Sequence, residues 1–213
     1  MTDLALQDLT LRHHGQVIAR LNLTVPAGQV LTLMGPSGSG KSSLLMALIG
    51  ALPRGFALSG RVLMGGQEVT ALPPNRRRIG LLFQDDVLFP HLSVGQNLAF
   101  GLAPGGTRAE RRARIEVALA GAGLPGFSGR DPATLSGGQR ARVALLRALL
   151  ARSRALLLDE PFARLDASLR DPIRQATFAA THDLPVILVT HDAEDARAAG
   201  GPVLSLFGEP VGQ

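Results

Sequence analysis

Apolar stretches recur along the chain, and the spacing of polar residues within them differs from one stretch to the next. Residues 3–11 and 17–25 alternate apolar and polar side chains, which is the two-residue period of a half-buried strand. Residues 53–75 are rich in Gly and Pro and contain only short strand-like pieces. Other stretches are apolar almost throughout, as is typical of strands buried in a parallel sheet. They are residues 29–34, 77–84, 154–161 and 185–192.

Helices are expected between these strands. The stretches with helical character are residues 42–52, 93–102, 107–123, the later part of 131–153, and 166–180. Within the third of them, Ile115, Ala118 and Leu119 form an apolar stripe beside a face rich in Arg and Glu. Strands that alternate with helices predict an α/β fold built on a parallel sheet.

The composition fits one α/β domain with an ample core. The chain has 213 residues, of which 46% are hydrophobic, and a formal net charge of +5. Its arginines are scattered and it has no Trp or Tyr on which bases could stack, which argues against nucleic-acid binding. Cysteine is absent, so no disulfide or thiolate metal site can form. We see no leader pattern and no apolar run near the ~18 residues of a membrane span, so we expect a soluble protein that can sit against a membrane partner.

A glycine-rich loop, GPSGSGKSS, joins the predicted strand 29–34 to the helix that follows. It fits G-x-x-x-x-G-K-[ST] in the strand–loop–helix context that phosphate binding requires. Glycines let backbone N–H groups converge on phosphate oxygens, and Ser42 offers a hydroxyl to Mg²⁺. Lys41 is the only lysine in the chain, and we attribute this to selection for a compact ammonium at the β- and γ-phosphates. The loop residues assigned to the nucleotide are Gly35, Pro36, Ser37, Gly38, Ser39, Gly40, Lys41, Ser42 and Ser43.

Two acids end the apolar stretch 154–161. Strands of this kind place their final residues at the sheet edge that carries the glycine loop, so Asp159 would hold Mg²⁺ there. Glu160 is the candidate that polarises an attacking water. Two carboxylates before Pro161 could instead cap a helix, but the glycine loop favours the catalytic interpretation.

Thr-His-Asp occurs twice near the end of the chain. His191 follows a buried strand and is expected at the same sheet edge as the acids, where it would contact the γ-phosphate. His182 is expected in a loop without such a role. Gln84 closes the stretch 77–84, and on its own it would be only a solvated polar residue.

The stretch LSGGQ, residues 135–139, stands between the glycine loop and LLLDEP. With six motifs in this order, essentially the whole chain resembles an ATP-binding-cassette ATPase, the nucleotide-binding subunit of ABC transporters. The resemblance implies a P-loop NTPase with a mostly parallel core sheet, an N-terminal antiparallel β-subdomain and an inserted α-helical subdomain. Residues 1–213 would form one domain, with 1–84 and 154–213 as the core with its β-subdomain and about 85–153 as the helical subdomain.

The resemblance also implies roles for the motif residues, with ATP and Mg²⁺ as cofactors. Those that would act in hydrolysis are Lys41, Gln84, Glu160 and His191. Those that would hold Mg²⁺ are Ser42, Gln84 and Asp159. The signature motif LSGGQ would contact ATP on a second subunit, so that ATP closes a head-to-tail homodimer and hydrolysis reopens it. The residues for this contact are Ser136, Gly137, Gly138, Gln139 and, at the end of the D-loop, Asp166.

A polytopic membrane permease is the further partner that the resemblance implies, docked on the Q-loop at Gln84 and on the helical subdomain. Candidate residues of this groove are Asp85, Asp86, Phe89 and Pro90. The motif stretches are most similar to small importer ATPases of the YnjD type, which implies import of a small solute and a solute-binding protein in the complete system. The expected location is peripheral, on the cytoplasmic side of the inner membrane. A soluble cassette ATPase acting on DNA or ribosomes, and a nucleotide-binding module without turnover, are the alternatives.

Two departures from the family pattern stand out. The family stacks adenine on an aromatic residue ahead of the glycine loop, where this chain has LRHHGQ. We predict that His14 packs on adenine, in preference to His13, although two surface histidines would give the same sequence. The D-loop often contains S-A-L-D but here is Ala163–Asp166, A-R-L-D, so a serine that faces the dimer partner is missing. Communication between the two ATP sites is therefore expected to differ.

Overall fold

Two compact units make up the protein, seen in a computed structural model that describes residues 2–85 and 87–211. The first unit runs to Leu81 and also contains Ser153–Glu160 and the chain from Thr181 onward. The second contains Leu82–Arg152 and Pro161–Ala180. In the described chain, no helix has the length and apolar character needed to cross a bilayer.

The strands form two sheets. In chain order they are β1 (Leu4–His13), β2 (Gln16–Val25), β3 (Val30–Leu33), β4 (Phe56–Met64), β5 (Gln67–Glu68), β6 (Ile79–Leu82), β7 (Ala155–Asp159), β8 (Val186–Val189) and β9 (Val203–Leu204). One sheet has the order β2-β1-β4-β5 with antiparallel pairing. The other has the order β6-β7-β8-β3-β9, in which β3 pairs in parallel with β8 and β9 and β7 with β8. This arrangement confirms the predicted α/β fold with an N-terminal antiparallel sheet.

A β-bulge in β1 brings its leucines to one face. The pairing of β1 with β4 shifts register after Gln7, and Asp8 takes a φ of +48°. Because the bulge adds one residue, Leu6 and Leu9 lie on the same side although their spacing is odd, and both are buried. Gly60 is required opposite the bulge, since a Cβ there would lie 2.4 Å from the Asp8 carbonyl oxygen. The buried leucines join α1 in the core of the first unit.

Several of the helices begin at a residue whose side chain caps them. In chain order the helices are α1 (Lys41–Ile49), α2 (Pro74–Arg77), α3 (Val94–Gly101), α4 (Arg108–Gly121), α5 (Gly137–Leu150), α6 (Ala167–Ala180) and α7 (Ala193–Ala199). Capping boxes start α3, α4 and α5, in which a Ser or Thr and a residue three positions later satisfy each other's backbone N–H groups. In α4, Ile115 and Leu119 are buried in the core of the second unit and Ala118 is half-buried, as the apolar stripe predicts.

The division between the units differs from the predicted one. The sequence analysis placed the whole of 154–213 in the core, whereas Pro161–Ala180 groups with the helices of the second unit. Packing within that unit explains the difference. Phe162 meets Phe178 edge-on, with ring centroids 5.9 Å apart. Helices α4, α5 and α6 also line one cavity of about 300 Å³.

Candidate active site

The glycine loop connects β3 to α1 in the first unit. Gly38 and Gly40 take φ angles of +77° and +100°, which favour glycine over any residue with a Cβ. A Cβ at Gly40 would also lie 2.9 Å from Cδ1 of Ile18, so the loop packs closely against β2. No side chain caps the N-terminus of α1 and no acid lies in its first turn. Its free N–H groups and helix dipole therefore favour an anion.

Lys41 is folded back onto the loop that precedes it. Its Nζ donates to the carbonyl oxygens of Gly35 at 2.7 Å and Pro36 at 2.8 Å, and the residue is only 7% exposed. An ammonium has three N–H donors, so two carbonyls do not saturate it. The Ser39 hydroxyl is buried in the same loop and has no hydrogen-bond partner among the described residues. Both groups are suited to a phosphate that approaches the loop.

Asp159, the last residue of β7, is the buried acid of this site. Burial raises the pKa of its carboxyl, and the charge of Glu160 acts in the same direction. A hydrogen bond from the Ser42 side chain and the charge of Lys41 act to lower that pKa. Ser42 and Asp159 together present two oxygen donors. A divalent cation would stabilise the carboxylate that burial disfavours, and Mg²⁺ commonly takes one or two protein oxygens beside substrate phosphates.

Glu160 has a strained backbone and a defined side-chain partner. Its φ is +47°, uncommon for a residue other than glycine, and its N–H donates to the Val189 carbonyl oxygen at 2.9 Å. Its Oε1 lies 3.0 Å from Nδ1 of His191. The Glu160 side chain is 15% exposed and the His191 side chain 63% exposed. The structure thus brings the predicted acid and histidine together at the ends of β7 and β8.

The two histidines predicted near adenine lie at the β1–β2 hairpin. His14 and Gly15 form its two-residue turn with φ angles of +47° and +84°, as a type I′ turn requires. His13 stacks on Phe56, with ring centroids 4.2 Å apart and planes 19° apart. The His14 ring lies 4.4 Å from the His13 ring, and the backbone N–H of His14 donates to the Gly55 carbonyl oxygen at 3.0 Å. Sequence reasoning missed Phe56, because its strand was hidden in the Gly- and Pro-rich stretch.

The signature motif lies in the second unit, where it starts α5. Ser136 Oγ accepts from the Gln139 N–H at 3.3 Å, and Gln139 Oε1 accepts from the Ser136 N–H at 3.0 Å. A Cβ at Gly137 would meet nothing within 4 Å, whereas one at Gly138 would lie 3.1 Å from the Arg164 carbonyl oxygen and 3.7 Å from Oδ2 of Asp166. The D-loop therefore packs against Gly138, and the first turn of α5 contains no acidic residue.

The residues after β6 lie in the same unit as the signature motif. Gln84 is exposed. Asp85 Oδ1 lies 2.8 Å from Nη2 of Arg164, with side chains 83% and 47% exposed. This ion pair joins the segment after the Q-loop glutamine to the D-loop, at the position where the chain departs from the family pattern. Asp86, a predicted groove residue, lies outside the described residues.

An apolar surface follows in this segment. Phe89 meets Phe100 edge-on at a centroid distance of 4.7 Å, and Phe100 is 70% exposed. Buried Asn97 fixes the loop, since its Oδ1 accepts from the Phe89 N–H at 2.8 Å and its Nδ2 donates to the Phe89 carbonyl oxygen at 3.1 Å. The Arg147 guanidinium lies 5.1 Å from the centroid of the Phe89 ring. Burial lowers the pKa of this guanidinium. Pro90, the other predicted groove residue, is exposed.

His182 is exposed in the loop before β8, where the sequence predicted a loop residue. Sequence reasoning also missed Thr190 and Asp195, which are buried beside His191. The string THDAED carried a signal for them: a hydroxyl directly before the histidine and an acid one helical turn after it. The surroundings of His191 therefore include buried residues that the sequence analysis did not identify.

A glycine loop before an uncapped helix, a buried lysine and an acid at the end of another strand of the same sheet define a P-loop nucleotide-binding protein. Residues 18–163 match the model of the ABC transporter family, and the chain belongs to this family as one of its ATP-binding cassettes, which are ATPases.

This chain is similar along most of its length to several known proteins. YnjD of Escherichia coli (strain K12), an uncharacterized ABC transporter ATP-binding protein, is 49% identical over 92% of this chain and 91% of its own length. The Fe(3+) ions import ATP-binding protein FbpC 1 of Rhizobium meliloti (strain 1021) is 44% identical over 88% of this chain, which spans only 53% of that relative. A solved dimer of the ATP-binding cassette MJ0796 bound to ADP and Pi is 30% identical, with a TM-score of 0.78 over 99% of this chain and 96% of that one.

Proposed function

We propose that this cassette hydrolyses Mg-ATP between two copies of the chain and thereby powers a membrane importer of a small solute. The observation that carries the proposal is the contact of 3.0 Å between Glu160 and His191 at the ends of β7 and β8. These strands belong to the sheet whose strand β3 leads into the glycine loop. A carboxylate that can accept a proton from water and a phosphate-binding loop both support hydrolysis of a phosphoanhydride, and an imidazole can donate to the phosphate.

The first unit binds the nucleotide. Backbone N–H groups at the start of α1 and the Lys41 ammonium hold the β- and γ-phosphates, and the Ser39 hydroxyl gains the partner that it lacks. Ser42 and Asp159 would hold Mg²⁺. The cation neutralises charge on the phosphate oxygens when it is bound. The chain supplies only a few ligands, as expected for Mg²⁺ that is also held by phosphates and water.

Hydrolysis is an in-line attack of water on the γ-phosphorus. Glu160 accepts the proton of the water as the new P–O bond forms, and the bond to the bridging oxygen breaks to leave ADP and phosphate. Nδ1–H of His191 donates to Glu160, and a protonated Nε2 would donate to a γ-phosphate oxygen. Lys41 stabilises the charge that develops on the leaving group.

A second copy completes the site. Gly137 and Gly138 lie in the first turn of α5, where the capping box uses the N–H groups of Ser136 and Gln139, and their own N–H groups would form a second phosphate-binding surface. We propose that these amides, with Ser136 and Gln139, contact the γ-phosphate held by the other copy, and that Asp166 lies at the same interface. The dimer of MJ0796 bound to ADP and Pi supports such a pairing. Since ATP then contacts both copies, its binding favours the closed dimer and its hydrolysis releases it.

The permease would dock on the apolar surface of the second unit around Phe89 and Phe100. Exposed aromatic side chains held by a fixed loop are typical of protein contact sites. The name of the iron-import relative supports the import role, and a solute-binding protein would belong to the complete system. The cassette would then lie on the cytoplasmic side of the inner membrane as a peripheral subunit. Its ATP site carries no information about the solute.

Isolation from membranes tests this role. We expect the tagged cassette, expressed with its neighbouring genes, to co-purify with a polytopic membrane protein after mild solubilisation. Phe100→Ser should lower the recovered permease about tenfold, because it removes an exposed aromatic anchor. Val117→Ser, which changes a residue 72% exposed on α4, is the matched control and should keep the partner. Turnover stimulated by nucleic acid or ribosomes, with no membrane partner recovered, would favour the soluble alternative instead.

The adenine contact is tested at the hairpin. His14→Asn should weaken ATP binding about fivefold, because it removes the ring while Asn tolerates the left-handed turn. Titration of ATP by calorimetry measures the effect. His13→Asn removes the ring that stacks on Phe56, and a smaller loss is expected there. Equal affinity of wild type and His14→Asn would show that adenine does not rest on His14.

A further inference from the structure

The turn that carries His191 is fixed from within by a buried pair. Thr190 Oγ1 donates to Oδ2 of Asp195 at 2.8 Å. Thr190 is 2% exposed and Asp195 3% exposed. Taking a carboxylate out of water is costly, and a protein keeps one only where hydrogen bonds stabilise it. The pair ties the end of β8 to the first turn of α7. The short segment between them, which begins with His191, is therefore held at both ends.

The same hydroxyl acts on the other side of the histidine. Thr190 Oγ1 also accepts from the Asp192 N–H at 3.0 Å. The hydroxyl therefore donates to one residue and accepts from another within the six residues 190–195. Asp192 Oδ1 in turn accepts from the Glu194 N–H at 2.8 Å and caps α7. Residues 190 and 192 are thus bridged across His191, and the backbone at the histidine has little freedom.

The His191 side chain is placed mainly by this backbone. It is 63% exposed, and its one described side-chain hydrogen bond is the contact with Glu160. Among the described hydrogen bonds, only this one fixes the orientation of the largely exposed ring. Its position relative to Glu160 therefore depends on the direction in which the turn projects its Cα–Cβ bond.

We propose that Thr190 and Asp195 are positioning residues that set the His191 ring against Glu160 and hence against the γ-phosphate. The proposal rests on the proposed catalytic role of His191. Neither positioning residue touches the nucleotide. Their contribution is geometric, and small displacements of a reacting group from its productive geometry lower the rate strongly.

Thr190→Val tests the pair, because it keeps the branched shape and removes the hydroxyl. We expect kcat for ATP hydrolysis to fall about tenfold or more, with KM for ATP changed less than about twofold. Thr190→Ser restores the hydroxyl and should recover most of the rate. NMR of the His191 ring, assigned through His191→Ala, should show shifted signals in Thr190→Val and wild-type signals in Thr190→Ser, independent of turnover.

Two further variants separate the possible failures. Ala196→Gly loosens α7 without touching the Thr190–Asp195 bond, and it should keep kcat. An equal loss of kcat in Ala196→Gly would assign the effect to helix stability and overturn the positioning role. Wild-type kcat and ring signals in Thr190→Val would overturn it as well. Wild-type turnover in His191→Ala would instead remove His191 from the proposed mechanism, and the NMR result would still decide whether the pair positions its ring.

Discussion

Glu160→Gln is expected to stop ATP turnover and to leave ATP binding intact. Glutamine keeps the shape of glutamate and can still accept from Nδ1–H of His191, but it cannot take a proton from water. The loss of a general base lowers the rate about 10²- to 10⁴-fold. Because ATP then persists, the closed dimer should accumulate. Light scattering of the purified variant should show a monomer that becomes a dimer only with Mg-ATP.

Glu194→Gln is the matched control for this change. Glu194 lies in the first turn of α7, is exposed, and forms an ion pair with Arg197. The same substitution there should leave turnover and the monomer unchanged, since exposed pairs of this kind contribute little. Wild-type turnover in Glu160→Gln would remove Glu160 from the role of base. A variant that binds ATP but stays monomeric would mean that the isolated chain cannot form the closed dimer. The altered D-loop or the need for the permease would then explain the failure.

Strands β3, β6, β7 and β8 of the core sheet could be predicted because each lies in a short apolar run. Strands β4 and β9 depended on pairing that no local pattern shows. β4 lies in a stretch rich in Gly and Pro, and it is a strand because β1 pairs with it along most of its length. β9 has only two residues and extends the core sheet beside β3. The bulge at Asp8 likewise needs the partner strand, where Gly60 makes room for it.

The candidate site was predictable to the extent that its residues form compact motifs. Lys41, Asp159 and Glu160 follow from spacing and from the ends of strands. The partners of these residues could not be predicted, because they come from distant parts of the chain or from generic residue types. Arg164 meets Asp85 although 79 positions separate them, and Phe56 reaches His13 only through the pairing of β4 with β1. The left-handed backbone of Glu160 has no sequence signal at all.

Lys41→Arg is expected to weaken ATP binding strongly although it keeps the charge. The Lys41 ammonium fits between two carbonyl oxygens at 2.7 and 2.8 Å in a position that is 7% exposed. A planar guanidinium is wider and cannot enter the same space without displacing the loop. We expect affinity to fall about 100-fold or more, which corresponds to about 2.7 kcal/mol. Calorimetric titration with Mg-ATP measures the change, and circular dichroism checks that the variant is folded.

The uniqueness of this lysine permits a second test on the unmodified chain. Lys41 is the only source of an ε-ammonium, so a lysine-directed acylating reagent has one side-chain target. Saturating Mg-ATP should slow acylation of Lys41 about tenfold or more, because a phosphate-bound ammonium is both charged and covered. The α-amino group provides the internal reference, whose rate should not change. Equal acylation of Lys41 with and without ATP, or wild-type affinity in Lys41→Arg, would show that the phosphates do not rest on this side chain.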